Sequence, residues 1–230
     1  MGILKKSTGG GNTTFVDFKG KKGVFQLTTG RGETRTTEDF TTIDYAYLRK
    51  MTYKADTFEG QPVHKAQVFL EGKDDGSKVC MTFQLGTFVG DRILGLLNAA
   101  ADTPEVPVRF NTGFTKAGDV MLSGDVATKD FVWIGARQDG AAETLKPKYD
   151  TPDGQLPKAK EVKINGKVLL NRDEIDPIVE KLFGDIVGKL KAHGQQQGHV
   201  PVPADEDEAE ATDMDADVPE PAGYESHRGG

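Results

Sequence analysis

The sequence predicts a mainly β protein: a five-stranded Greek-key barrel with one inserted helix, followed by a hairpin and an amphipathic helix. Three observations lead there. Runs rich in Thr, Val, Phe and Tyr recur between turn residues from Val24 to about Arg137. One segment among them, Asp91 to Ala101, has helical spacing instead. A second helical stripe runs from Ile178 to Leu190. A chain of 230 residues has room for one such core with appendages and not for two large domains.

Taken in order, residues 1–23 read as a flexible basic arm, with Gly9-Gly10-Gly11 and the lysines Lys19, Lys21 and Lys22, able to lie along phosphates. Residues 24–200 form the body. Val24 to Thr29 is a short strand, followed by a polar loop holding Gly30, Gly32 and several threonines. Ile43 to Ala55 is a longer strand, and Val63 to Glu71 follows the Gly60-Gln61-Pro62 break. The turn Lys73-Asp74-Asp75-Gly76 then leads into Lys78 to Phe88. In the helix that follows, Ile93, Leu94, Leu96 and Leu97 share a face. Strands resume at Val106 to Thr115, Val120 to Val126 and Phe131 to Arg137, with Lys116-Ala117-Gly118-Asp119 as a hairpin turn. The same order also fits an open sheet with one packed helix.

Beyond Arg137 the residues Pro147, Pro152, Gly154 and Pro157 mark a linker or long surface loop. Asn165-Gly166 between Val162 to Ile164 and Lys167 to Leu169 is a two-residue hairpin signal of the type I′ kind. Asp176 caps a helix whose first residue is Pro177, where proline forfeits no hydrogen bond. Ile178, Val179, Leu182, Phe183, Ile186, Val187 and Leu190 form its apolar stripe. That stripe needs a partner surface, either the protein's own barrel or a second subunit in a homo-oligomer.

Charge divides the chain. Residues 201–230 hold ten acids against one base, Arg228, so the formal charge of −7 leaves residues 1–200 at +2. A nearly neutral body thus carries an acidic tail, a pattern of solvated interaction segments. Cys80 is the lone cysteine, which excludes an internal disulfide and a cysteine-based zinc site and suits a reducing, cytoplasmic setting. No run approaches the ~20 apolar residues that span a bilayer, so no membrane partner is expected. Phosphate-loop chemistry is not indicated, because Gly166-Lys167 and Gly188-Lys189 are followed by Val168 and Leu190 where a hydroxyl is required. His64, His193, His199 and His227 are scattered, and none of the four serines sits in a nucleophile elbow. The expectation is a chain that is not an enzyme and uses neither cofactor nor metal.

Rings and bases share the strand faces. Strict alternation from Ile43 to Ala55 places Tyr45, Tyr47, Arg49 and Tyr53 on one side. Ala66, Val68 and Leu70 suit an interior, leaving Lys65, Gln67 and Phe69 outward. Val79, Met81, Phe83 and Leu85 point in, as do Val108, Phe110 and Phe114 opposite Arg109 and Asn111. Val132 and Ile134 turn inward, which exposes Phe131, Trp133 and Arg137. Such a surface offers rings for base stacking and cations for phosphate, the contacts of sequence-tolerant single-strand binding. Half-buried tyrosines also occur at ordinary core edges, and the exposed Trp133 needs cover from a base or from the C-terminal helix.

Strands, one helix, then more strands is the order of the oligonucleotide-binding (OB) barrel. With the acidic tail, Asp205 to Glu225, the body from Val24 to Arg137 resembles the bacteriophage single-stranded DNA-binding proteins. The resemblance implies non-catalytic, largely sequence-independent binding and protection of single-stranded DNA in replication or recombination. Tyr45, Tyr47, Tyr53, Phe69 and Trp133 would stack on bases, and Arg49, Lys50, Lys65, Arg109 and Arg137 would meet phosphates. In that family the tail competes with DNA and docks replication proteins, commonly through a terminal aromatic. This chain departs from the pattern, ending His227-Arg228-Gly229-Gly230 with Tyr224 as the nearest ring. The alternative is a structural or virion assembly protein whose acidic tail recruits a partner.

Overall fold

A computed structural model describes residues 13–29, 34–58, 61–121, 123–164 and 167–196. The acidic tail and residues 1–12 fall outside that description. The order of elements is β1 (Thr14–Lys19), β2 (Val24–Thr29), β3 (Thr36–Phe40), β4 (Thr42–Phe58), β5 (Gln61–Gly72), β6 (Lys78–Gln84), α1 (Phe88–Ala100), β7 (Val108–Thr115), β8 (Phe131–Gln138), β9 (Lys160–Ile164), β10 (Lys167–Asn171) and α2 (Asp176–Gln196). The first eight strands make one sheet in the order β3-β2-β1-β6-β5-β4-β7-β8, in which only β1 and β6 run parallel.

Alternation along these strands sends one set of side chains to an inner face. Val16, Phe25, Phe40, Ile43, Leu48, Met51, Val68, Leu70, Val79, Met81, Phe83, Val108, Phe110 and Ile134 are all buried in one core with both helices. Thr87 starts α1, its hydroxyl accepting from the Gly90 amide at 3.0 Å, so the helix begins three residues earlier than its apolar spacing suggests. Nearly every position of α1 is covered because β8, α2 and the returning chain surround it. That return bonds Lys148 N to Gly95 O and Tyr149 Oη to Asp91 O. Arg92 donates to Ile134 O and the Leu145 amide to Ala136 O, which covers the outer edge of β8.

The sheet curls until the β1–β2 turn reaches β7. Gly23, with φ +63°, lies so close that a Cβ there would sit 2.6 Å from Gly113 O, so only glycine serves at this seam.

Several sequence expectations change. Residues 14–19, assigned to a flexible arm, are a strand inside the sheet, because Val16 and Phe18 pack inward while Phe15, Asp17 and Lys19 alternate outward. The polar loop of threonines contains β3, anchored by buried Phe40. The sheet therefore has eight strands where five were expected. Val120 and Val126 form a single bridge instead of a strand, and Phe114 is exposed. The α2 stripe packs on the protein's own body: Val179, Leu182, Ile186 and Leu190 are buried against α1 and β4. β9 and β10 pair antiparallel, while the Asn165-Gly166 turn lies outside the described residues. Among the described residues, no helix is long and apolar enough to cross a membrane.

Candidate nucleic-acid interface

β4 carries half of the predicted site, and its two irregularities decide where each side chain goes. Its pairing with β7 shifts register between Ile43 and Ala46, and its pairing with β5 shifts between Leu48 and Lys50. Each extra residue reverses the phase of the alternation. Tyr47 and Lys50 consequently lie opposite the outward residues Glu71 and Phe69, with Arg49 as the inserted residue between them. Tyr53 lies opposite buried Ala66 and belongs to the inner side. Its ring meets Phe183 of α2 edge-on at 6.4 Å, and its hydroxyl pairs with His64 Nδ1. Strict alternation had placed Tyr53 with Tyr47, and the bulge corrects that. Tyr45 sits half-buried in the first irregular stretch, where its carbonyl accepts from the Lys73 amide.

The outer face of β4, β5, β6 and β1 collects rings and cations. Register places Lys50, Phe69, Cys80 and Phe15 side by side, then Thr52, Gln67, Thr82 and Asp17 in the next row. Lys54, Lys65 and Gln84 make a third row, and Tyr47, Glu71 and Lys78 a fourth on the other side. The Arg49 guanidinium lies 4.7 Å from the Tyr47 ring centre, and Lys50 Nζ lies 5.7 Å from that of Phe69. Three acids on this face are tied to bases: Asp17 to Lys19, Glu71 to Arg49 at 2.8 Å, and Asp56 to Lys65 at 2.6 Å. The hydrogen bond from Lys65 holds the Asp56 carboxyl below the usual carboxylate range, with the Thr57 amide helping. Lys50, Lys54 and Lys78 have no ion pair among the described residues, which leaves the face positive. Cys80 is fully buried between the two phenylalanines, and that burial pushes its thiol up to about 11.

Phe15 was absent from the sequence-predicted set because β1 was. The signal was present in Phe15-Val16-Asp17-Phe18-Lys19, which alternates apolar-in and polar-out except at Phe15, whose ring points out.

Trp133, Arg109 and Arg137 occupy the other end of the face, on β7 and β8. β4 meets β7 only over Thr42 to Ala46, so these residues stand apart from Phe69 and Lys50. The Trp133 ring lies over the Gly113 backbone, where an added Cβ would come within 2.8 Å of it, and the residue stays 41% exposed. Arg109 and Arg137 face each other across the β7–β8 pair. Arg137 Nε donates to Ala141 O, whereas the buried Nε of Arg109 has no hydrogen-bond partner among the described residues.

Helices and returning chain form a different polar cluster on the opposite side. Asp102 binds Lys148 and Lys189, both at 2.6 Å. Burial pushes its carboxyl up, but the hydrogen bonds and charges of the two lysines prevail and hold it below the ordinary aspartate value. Arg172 bridges Asp91 of α1 to Asp176 of α2, both at 2.8 Å. These ties join the helices to each other and to the returning chain at Lys148. Among the described residues no group of acids, histidines and cysteine is placed to hold a metal ion. Comparison of the chain with family models, curated proteins and solved structures gave no match.

Proposed function

We propose that this chain binds single-stranded DNA, without catalysis and with little dependence on sequence, on the outer face of β4, β5 and β6. The observation that carries the reading is the row of Phe69 beside Lys50, with Tyr47 and Arg49 next to it and, on either side, Lys54 and Lys78, which have no ion pair among the described residues. Rings accept any base by stacking, at about 1–3 kcal/mol each, and cations meet the phosphates between. At the far end, like charges placed directly opposite are unfavourable, so a phosphate seated between Arg109 and Arg137 would stabilise that pair.

The connectivity supports the same reading. Long β4 pairs with both β5 and β7, and α1 falls between β6 and β7. Within the larger sheet, β4, β5, β6, β7 and β8 with α1 have the strand order we assign to an OB barrel, with β1–β3, β9–β10 and α2 as additions. Such barrels bind nucleic acid on this face. From the resemblance in layout to bacteriophage single-stranded DNA-binding proteins, we propose replication or recombination as the setting of this activity.

The ten carboxylates of residues 201–230 are proposed as a competitor of DNA phosphate, and as a recruiter of replication proteins. A mobility-shift titration of the full chain with a labelled oligothymidylate at low salt tests the reading. A retarded complex, competed better by single strands than by duplex, is expected; no complex at low salt rejects it. A second reading, assembly with other protein copies, is favoured by the exposed apolar Phe114, Val120, Val126 and Trp133 at the β7–β8 end. Sedimentation velocity separates the two, since assembly predicts concentration-dependent oligomers in the absence of DNA.

A further inference from the structure

The row that carries the proposed interface continues past Phe69. β1 runs parallel to β6 with Phe15 against Cys80, so Lys50, Phe69, Cys80 and Phe15 occupy neighbouring positions on four adjacent strands. Phe15 is 58% exposed, the most of any aromatic among the strand residues whose side chains are described. Cys80 between the rings is small and fully buried, leaving the two phenylalanines as outward platforms about 10 Å apart, two strand spacings. The nearest acid, Asp17, is held by Lys19 at 3.0 Å, so this end of the row does not present a free negative charge. A lone exposed phenylalanine needs no explanation; one in register with a second ring and a lysine offers a stacking position for another base.

We propose that Phe15 is a base-stacking residue and that single-stranded DNA crosses the sheet from β4 over β5 and β6 to β1. The inference rests on the DNA-binding reading above and extends its surface to a strand outside the five-stranded barrel. It also gives the β1–β3 meander a role: the meander carries the ring, and the Gly23 contact with Gly113 seats its turn against β7.

Fluorescence anisotropy of the full chain with a labelled oligothymidylate tests this, using Phe15→Leu, Phe15→Tyr and Phe69→Leu. Leucine keeps apolar bulk at an exposed position and removes the ring, so an unchanged thermal midpoint is expected. Phe15→Leu should weaken binding roughly 5- to 100-fold, Phe15→Tyr should bind like the parent, and the dependence of affinity on salt should keep its slope because no phosphate contact is lost. Parental affinity in Phe15→Leu with weak binding in Phe69→Leu overturns the inference and leaves the interface standing. Parental affinity in both rejects the interface as well. Ultraviolet crosslinking of the unmodified chain to the oligothymidylate, mapped by mass spectrometry, decides the matter even where a variant loses its fold. A crosslink at Phe15 supports the proposal, and crosslinks confined to β4 and β5 contradict it.

Discussion

On its inner side the sheet meets α1 and α2 through a continuous apolar surface, from Val16 and Phe25 across Val68 and Met81 to Phe110 and Ile134. On its outer side the same strands carry rings, an amide, a hydroxyl and lysines: Phe15, Phe69, Gln67, Thr82, Lys50, Lys54 and Lys78. The first surface is explained by what covers it, since α2 buries Val179, Leu182, Ile186 and Leu190 there. The second has no such cover among the described residues, and its combination of rings and unpaired cations does little for a folded core. Two faces of one strand are thus read separately, one for stability and one for the proposed binding, and substitutions on each should separate the two properties.

The largest effect is expected on the inner face. Leu182→Asp places an unpaired charge at a fully covered site and should unfold the chain, and Leu182→Ala should lose about 2–5 kcal/mol of stability, measured by urea denaturation followed by circular dichroism. A soluble, folded, smaller species from Leu182→Asp would instead mean that α2 joins subunits.

On the outer face, Tyr47→Ala and Trp133→Ala test whether both ends contact DNA. Each should weaken binding by about 1–3 kcal/mol with the fold intact. A loss in Tyr47→Ala alone would confine the site to β4, β5, β6 and β1. A smaller, additive effect is expected from the lysines: each of Lys50→Ala, Lys54→Ala and Lys78→Ala should reduce the slope of log affinity against log salt by about 0.7 if that residue meets one phosphate.

The smallest effect returns to the helix side. Asp102 is held below its ordinary value, so the folded protein binds that proton less readily than the unfolded chain does. Its contribution is full above the ordinary aspartate range and lost as pH falls through the folded value. Asp102→Asn should therefore lower stability at neutral pH by about 1 kcal/mol or less, a partly exposed pair being screened by solvent, and the gap should close in acid. A gap that widens on acidification would contradict this assignment.

How much of this was legible in the sequence depended on whether a segment stated its own pattern. Both helices were, because Ile93 to Leu97 and Val179 to Leu190 carry their periodicity within themselves. β5 and β6 were, because Ala66, Val68 and Leu70, like Val79, Met81 and Phe83, alternate without interruption. β1 and β3 were not: each is short and flanked by glycine or charge, and each is held by neighbours that the local sequence does not name. In β4 the individual residues were legible but their faces were not, since alternation fails at a bulge that only the partner strand reveals. The structure thus brings Phe69, Lys50 and Tyr47 onto one face, turns Tyr53 to the other, and puts Phe15 on a strand where the sequence suggests an arm.

The claim that the outer face is the DNA surface is tested most directly by lysine footprinting. The full chain is labelled with an amine-reactive reagent with and without bound oligothymidylate, and each lysine is quantified by mass spectrometry. Protection of Lys50, Lys54 and Lys78 is expected, with Lys181 and Lys191 on the exposed side of α2 reacting equally in both samples. Protection of Lys181 and Lys191 with none at Lys50, Lys54 and Lys78 would contradict it.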